Sequence, residues 1–171
     1  MRVADTFGAH PGLVADMGRA CCDGMQSDLD RDGNWGSGSV STMAKHWPGG
    51  GPCEAGRDAH YAFGKFAVHP GGEQVGNSYS KYIIGDLLRQ QAGFEGVVCT
   101  DWGITGGPER EMDSFGSRCY GVEHLTEAER HLRILENGVD QFGGNNDIVP
   151  ILEACRLGCE KYGEEAISAS V

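Results

Sequence analysis

The sequence lacks long hydrophobic runs and has comparatively little positive charge. None of its apolar stretches approaches the roughly 18 residues of a membrane-spanning helix. It carries 14 lysines and arginines against 25 aspartates and glutamates, which gives a net charge of −11. Because nucleic acids and anionic membranes both attract basic surfaces, this composition argues against either as a partner.

Several signatures of common functional sites are absent as well. The sequence has no P-loop, no dinucleotide-binding glycine fingerprint and no G-x-S-x-G motif. Its seven cysteines form no paired C-x-x-C motifs, so we expect reduced thiols that serve in packing, and no structural zinc. The first residues lack the apolar core of a signal peptide. If Met1 is the true start, the cytoplasm is the default expectation, and the compartment of a longer parent protein stays unknown.

One acidic segment imitates a cation site. Asp28-x-Asp30-x-Asp32-Gly33 matches the opening of a calcium-binding loop, but its twelfth position is Ser39 where that loop requires a bidentate glutamate. We interpret the segment as a solvated loop, and we expect neither a metal nor a cofactor.

Glycine, by contrast, is abundant, with 28 residues concentrated in loops. Apolar spacing predicts helices over 11–25, 78–91, 126–137, 148–157 and 161–170, and short buried strands over 40–44, 97–100 and 139–142. Gly138 is predicted to end the third of these helices. Alternating strands and helices are typical of parallel βαβ units, so the pattern predicts an α/β fold built on a parallel sheet.

Polar residues occur at the ends of all three predicted strands. They are Lys45-His46, Asp101-Trp102 and Asp140-Gln141. In parallel barrels the chemistry collects where the strands end at their carboxyl side, so this coincidence indicates an enzyme.

One stretch does not fit the alternation. Residues 47–75 show neither a helical nor a strand period. A structureless loop of about that length is rare in a compact domain, and a parallel strand needs a crossover connection to reach its neighbour. We infer that a strand and a helix are missing near Gly72-Glu73.

Four motifs in order resemble the catalytic barrel domain of family 3 glycoside hydrolases, and the resemblance covers essentially the whole chain. The motifs are Arg2-x-x-Asp5-Thr6-Phe7-Gly8-x-x-Pro11, Ala44-Lys45-His46-Trp47-Pro48-Gly49-Gly50-Gly51-Pro52, Gly93-Phe94-Glu95-Gly96-Val97-Val98-Cys99-Thr100-Asp101-Trp102-Gly103 and Gly138-Val139-Asp140-Gln141-Phe142-Gly143-Gly144. Thr-Asp-Trp within the third motif matches the hallmark of the family's nucleophile strand.

The resemblance implies a fold and a reaction. The fold is a partial (β/α)8 TIM-like barrel with parallel strands, forming a single partial catalytic domain over residues 1–171, because a complete barrel usually needs roughly 250 residues. The reaction is hydrolysis of a β-linked glucoside or oligosaccharide with retention and without a cofactor. The oligomeric state is left open.

The resemblance also assigns residues. Asp101 matches the nucleophile, which attacks the anomeric carbon while another carboxyl protonates the leaving oxygen. Arg2, Lys45 and His46 match residues that hold sugar hydroxyls, and Trp102 matches an aromatic wall of the sugar site. The alternative for Asp101 is a carboxylate that merely caps the following turn.

Two other functions stay open. No residue matches the family's acid/base glutamate, which in most β-glucosidase members lies in a following domain, so the chain could be a non-catalytic or vestigial sugar-binding fragment. A β-N-acetylhexosaminidase would use His60, within Asp58-Ala59-His60, as its proton donor. The longer loop after Lys45-His46, with Gly50 in place of a second histidine, favours the β-glucosidase form.

Overall fold

The computed structural model describes residues 7–28, 35–49, 73–107 and 118–165. The chain divides into two compact units, Met1–Trp47 and Pro48–Val171. No helix in these four ranges is both long and apolar enough to cross a bilayer.

The first unit is built on helix α1, Pro11–Met25, which confirms the helix predicted over the same residues. His10 caps its start, since the ring Nδ1 accepts a hydrogen bond of 3.3 Å from the amide of Leu13. Pro11 follows in the first turn, where its missing N–H costs no helical hydrogen bond. The helix places no side chain in a core, and Met17 is 43% exposed.

Asp28 organises the loop that follows α1. Its Oδ2 accepts the amide of Gly38 at 2.7 Å, and its carbonyl accepts the hydroxyl of Ser39 at 2.6 Å. Asp30, Asp32 and Gly33 lie outside the described residues. Within the ranges that are described, no group of three or more histidine, cysteine, aspartate or glutamate residues could hold a metal ion.

Residues 40–44, predicted to be a buried strand, are irregular, so that prediction is wrong. Thr42 is held to the end of α1 by a side-chain contact, in which its Oγ1 donates to Oε1 of Gln26 at 2.6 Å. Val40 is 60% exposed and Met43 is 74% exposed. Without a partner strand in the described part of this unit, its apolar side chains remain at the surface.

The described residues of the second unit form a 3-10 turn, a π-helix and two α-helices. These are Asn77–Tyr79, Tyr82–Gln91, α2 at Glu127–Glu136 and α3 at Val149–Tyr162. The single helix predicted over 78–91 is therefore divided into a 3-10 turn and a helix with π-helical hydrogen bonding. Its last turn closes with a five-residue hydrogen bond, from the amide of Ala92 to the carbonyl of Leu87 at 2.8 Å, which is the π-helical spacing.

Helix α2 agrees closely with the sequence prediction. Thr126 caps its start and Glu129 completes a capping box, with the Glu129 amide donating to Thr126 Oγ1 and the Thr126 amide donating to Glu129 Oε2. Gly138 follows its end with φ +94°, a left-handed conformation that favours glycine.

Helix α3 extends the predicted helix of 148–157 to Tyr162, and Gly163 caps it. The predicted last helix begins inside α3, and residues 166–171 lie outside the described part of the chain. Helix α2 packs against both α3 and the 3-10 turn. The core of the unit collects residues from the helices and from the loops between them: Val75, Tyr79, Ile83, Ile84, Ile104, Cys119, Val122, Ile134 and Val139.

The prediction of a parallel-strand TIM-like barrel is wrong, because the described ranges contain helices and no strand. Segments 97–100 and 139–142 meet in a single parallel bridge, between Cys99 and Gln141. A sheet requires ladders of hydrogen bonds that run along paired strands. Val97, predicted to lie in a buried strand, is instead 69% exposed. The apolar content of these segments was therefore insufficient evidence for a sheet.

Candidate functional site

The candidate site lies where segments 97–100 and 139–142 leave their bridge. The amide of Thr100 donates to the carbonyl of Gln141 at 2.9 Å. The amide of Gly143 donates to Oγ1 of Thr100 at 2.8 Å, and the amide of Gly103 donates to the carbonyl of Gly143 at 2.9 Å. Two turns, one after Thr100 and one after Gln141, are thus held side by side by two backbone hydrogen bonds and one hydrogen bond to the Thr100 side chain.

Asp101 occupies the first of these turns and is partly exposed. Its Oδ1 accepts the amide of Trp102 at 2.6 Å, which fixes the carboxylate against the turn. Burial of the thiol raises the pKa of Cys99, and the negative charge of Asp101 raises it further. The negative charge of Asp101 therefore disfavours ionisation of a thiol in the bridged segment.

Trp102 presents most of its indole to solvent, with 68% of the residue exposed. The ring lies against the backbone of Gly144 in the second turn, because a Cβ placed on Gly144 would come within 2.5 Å of Trp102 Cε3. A partly supported and largely exposed indole can stack on an apolar ligand surface.

Buried polar groups hold the chain immediately after Trp102. The hydroxyl of Tyr79 donates to the carbonyl of Ile104 at 2.8 Å. Nε of Arg130 donates to the carbonyl of Thr105 at 2.9 Å, and Nδ2 of Asn145 donates to Thr105 Oγ1 at 2.6 Å. The turn that carries Asp101 is therefore anchored to the 3-10 turn, to α2 and to the second turn.

His131, which is fully buried in α2, completes this anchor. Its Nδ1 lies 2.7 Å from the carbonyl of Glu127, and a carbonyl can only accept, so Nδ1 carries the proton. Nε2 of the neutral ring then accepts from Nδ2 of Asn145 at 3.3 Å. The His131 ring also packs edge to face on the ring of Phe142, with the two ring centroids 4.4 Å apart.

Sequence reasoning did not identify this anchor. The available signal was the position of Arg130 and His131 on the same helical face as the buried Ala128 and Ile134. Polar side chains on the inner face of a helix must find buried partners. The partners Thr105 and Asn145 are far away in sequence, so their identity could not be predicted from spacing.

Asp140, at the third predicted polar strand end, has a structural role. Its Oδ2 accepts from Nη2 of Arg89 at 2.5 Å and from the amide of Val98 at 2.7 Å. Arg89 also donates to the carbonyls of Phe94, Gly96 and Gly138. This fork joins the π-helix to the starts of both bridged segments.

The structure describes some of the remaining predicted site residues and omits others. Lys45 and His46 are exposed in the first unit and are joined by a cis peptide bond. Arg2, Asp58 and His60 lie outside the described residues. Of the predicted site residues, the structure places Asp101 and Trp102 together in one turn.

An open cleft elsewhere in the second unit has a different character. It is lined mainly by charged residues of α2 and its neighbours, including Glu73, Lys81, Arg133, Glu136 and Lys161. Arg133 pairs with Glu73 at 2.6 Å, and Lys161 pairs with Glu136 at 2.9 Å. The cleft does not include Asp101 or Trp102, so geometry and chemistry favour the turn as the candidate site.

The chain is similar to curated β-glucosidases along nearly all of its length. It is 34% identical over 202 residues to Probable beta-glucosidase C of Aspergillus flavus, and 33% identical over 202 residues to Beta-glucosidase C of Emericella nidulans. It is 31% identical over 216 residues to the Periplasmic beta-glucosidase/beta-xylosidase of Dickeya chrysanthemi. Each comparison covers 99% of this chain. No protein-family model matches it.

The chain spans about a third of the length of these curated relatives, 31% of the Aspergillus flavus protein and 32% of the other two. The 202 aligned positions exceed the 171 residues of the chain by 31. At least that many positions of the relative therefore have no counterpart here. The predicted resemblance to the β-glucosidases is confirmed.

Proposed function

We propose that this chain, which belongs by sequence with the β-glucosidase-like glycoside hydrolases, is part of a catalytic domain that cleaves β-glucosides with retention. Asp101 is the proposed nucleophile. Arg2, Lys45, His46 and Trp102 are the proposed sugar-binding residues. The internal shortening near Gly72-Glu73 belongs to the same proposal, and the unmatched positions in the relatives are consistent with it.

The proposed reaction has two steps on Asp101. A carboxylate oxygen attacks the anomeric carbon, the glycosidic C–O bond breaks, and the leaving oxygen takes a proton from a general acid. Water then attacks the same carbon from the opposite face, loses a proton to that group acting as base, and releases the carboxylate. Two inversions give retention. No residue of this chain is assigned to the acid/base step.

The observation that carries the proposal is the anchoring of Asp101. The backbone on both sides of Asp101 is hydrogen-bonded to the segment of the second turn. The amide of Thr100 donates to the carbonyl of Gln141, and the amide of Gly103 donates to the carbonyl of Gly143. A nucleophile must be held close to its productive geometry. The buried hydrogen bonds to Ile104 and Thr105 extend that rigidity beyond the turn.

The test uses a substrate that needs no proton donor. The 171-residue chain is incubated with an activated 2-deoxy-2-fluoro-β-glucoside, and its intact mass and peptide map are measured. A glycosyl adduct on the peptide that contains Asp101 is expected. Asp101→Asn keeps an oxygen for the Trp102 amide and should give no adduct, while Asp86→Asn, an exposed carboxylate paired with Lys81, should label like the wild type.

A folded chain without an adduct would overturn the catalytic proposal. The corresponding β-xyloside belongs in the same experiment, because the name of the Dickeya chrysanthemi relative includes both activities. Faster labelling by the xyloside would correct the sugar while retaining Asp101 as nucleophile.

A second candidate is a sugar-binding site without catalysis. The observation that favours it is the 2.6 Å hydrogen bond from the Trp102 amide to Asp101 Oδ1, which engages the carboxylate with the backbone of its own turn. This candidate predicts saccharide binding by the folded chain, unchanged by Asp101→Asn, together with no adduct from the fluoroglucoside.

A further inference from the structure

Gly144 and Trp102 are in closer contact than any side chain on residue 144 would allow. A Cβ at that position would lie 2.5 Å from Cε3 of Trp102, and 3.0 Å and 3.1 Å from its Cβ and Cα. Real Cβ atoms do not approach other heavy atoms within 3.0 Å without a shift of one partner. The indole therefore occupies space that only a glycine leaves open.

The backbone around Trp102 restricts how such a clash could be relieved. Nη1 of Arg118 donates to the carbonyl of Trp102 at 2.9 Å. The next amide, of Gly103, donates to the carbonyl of Gly143 at 2.9 Å. A side chain on residue 144 would therefore press on the indole as well as on the Trp102 backbone that these bonds hold.

The supported indole leaves most of its surface exposed, next to the Asp101 carboxylate in sequence and in the same turn. A pyranose whose substituents are all equatorial presents axial C–H groups on both of its faces. Such a face is apolar and flat enough to stack on an indole. β-Glucosides and β-xylosides share this shape, whereas galactosides carry an axial hydroxyl.

We propose that Gly144 is a specificity-determining residue, which lets the indole of Trp102 lie against the second turn and present its outer face to an all-equatorial pyranose. This inference rests on the proposed function of the site. The glycine at position 144 sets the orientation of the Trp102 indole, and the sugars that stack on this indole are all-equatorial pyranoses.

The test compares two glycine substitutions with nearly equal backbone strain. Gly144 has φ +66° and Gly93 has φ +64°, but a Cβ on Gly93 would meet no atom within 4 Å. Both Gly144→Ala and Gly93→Ala carry the cost of a left-handed alanine, and only the first collides with Trp102. The full chain is labelled with 5-fluorotryptophan, and Trp102→Phe assigns the Trp102 resonance among the three tryptophans.

In the free protein, Gly144→Ala should move the Trp102 fluorine resonance and Gly93→Ala should not. Methyl β-glucoside should shift that resonance in the wild type, with a Kd about 3- to 10-fold higher in Gly144→Ala. Methyl β-galactoside should bind more weakly than the glucoside to the wild type, and Gly144→Ala should narrow the difference.

An unmoved Trp102 resonance in Gly144→Ala, or an unchanged Kd for the glucoside, would overturn the inference. If Gly144→Ala moves the Trp102 resonance but no saccharide shifts that resonance in the wild type, the proposed function is overturned. The specificity role of Gly144 is then overturned with it. If Gly144→Ala is too unstable for the binding measurements, the comparison moves to urea unfolding. Its destabilisation should be smaller in a Trp102→Ala background, and an equal loss in both backgrounds would contradict the contact.

Discussion

Asn145 donates a hydrogen bond of 2.6 Å from Nδ2 to Oγ1 of Thr105, and so joins the second turn to the chain that follows Asp101. The same amide nitrogen lies 3.3 Å from Nε2 of His131. One side chain thus links both turns of the candidate site to the inner face of α2.

Asn145→Ala should lower both stability and reactivity. The change leaves Thr105 Oγ1, in a fully buried residue, without this partner, which costs about 1–3 kcal/mol of unfolding free energy. It should also slow labelling of Asp101 by the fluoroglucoside, while Asn146→Ala, at an exposed neighbour, should leave both quantities unchanged. Urea unfolding and the labelling rate measure the two effects. Equal stability of the two variants would contradict the anchor.

Arg89→Ala should destabilise the second unit by about 2–4 kcal/mol, because hydrogen bonds to a charged donor are stronger than neutral ones. The guanidinium of Arg89 donates hydrogen bonds to the carbonyls of Phe94, Gly96 and Gly138 and to the carboxylate of Asp140. Arg89→Lys should recover little, since an ammonium cannot reproduce the fork. Arg156→Ala is the control, because its partners Glu153 and Glu160 are exposed neighbours on α3. A urea midpoint for Arg89→Lys near the wild-type value would refute the fork.

The capping box of α2 should make stability depend on pH through Glu129. Hydrogen bonds from the amide and hydroxyl of Thr126 hold the pKa of the Glu129 carboxyl below its ordinary value of 4.5. A lowered pKa in the folded state means that this stabilisation is complete above pH 4.5 and is lost as the pH falls through the folded value. Glu129→Gln should therefore lose less stability than the wild type between pH 6.5 and 3.

Urea midpoints at the two pH values measure this difference, with Glu123→Gln as a control for the loss of an exposed charge. Thr126→Ala removes the other half of the box and should cost roughly 1 kcal/mol at pH 6.5. Identical pH dependence in Glu129→Gln and the wild type would mean that the carboxylate contributes nothing at the cap.

Tyr79→Phe should remove a buried hydrogen bond without a change in the alkaline titration of the folded protein. The Tyr79 hydroxyl donates to the carbonyl of Ile104, and its loss should cost about 1–3 kcal/mol. Burial raises the pKa of Tyr79 far above its ordinary value, and Cys119 raises it further, so the phenol should ionise only on unfolding. Tyrosinate absorbance below the alkaline transition should be equal in both proteins, and a larger wild-type signal would contradict the burial.

The helices were predictable because their signals are local. Pro11 at the start of α1, Thr126 with Glu129 at the start of α2 and Gly138 at its end each act within one turn. The boundaries of α1 and α2 followed from these residues. The π-helical winding of Tyr82–Gln91 has no comparable local marker in the sequence.

The sheet failed because strand identity depends on partners that a sequence does not display. Val97, Val98 and Cys99 have the apolar content of a buried strand, yet the described residues supply one bridge to Gln141 and no ladder. The candidate site was only partly predictable for a similar reason. Asp101 and Trp102 follow from a contiguous motif, whereas Thr105, His131 and Asn145 meet only through folding.

The bridge between Cys99 and Gln141 also has a consequence for the order of folding. Helix α2 and its caps require only neighbours in sequence, whereas the bridge closes a long loop before it forms any hydrogen bond. Loop closure costs entropy before its contacts stabilise the chain. We expect the two turns of the candidate site to assemble after α2 has formed, so a chain can be largely helical by circular dichroism while its site is still open.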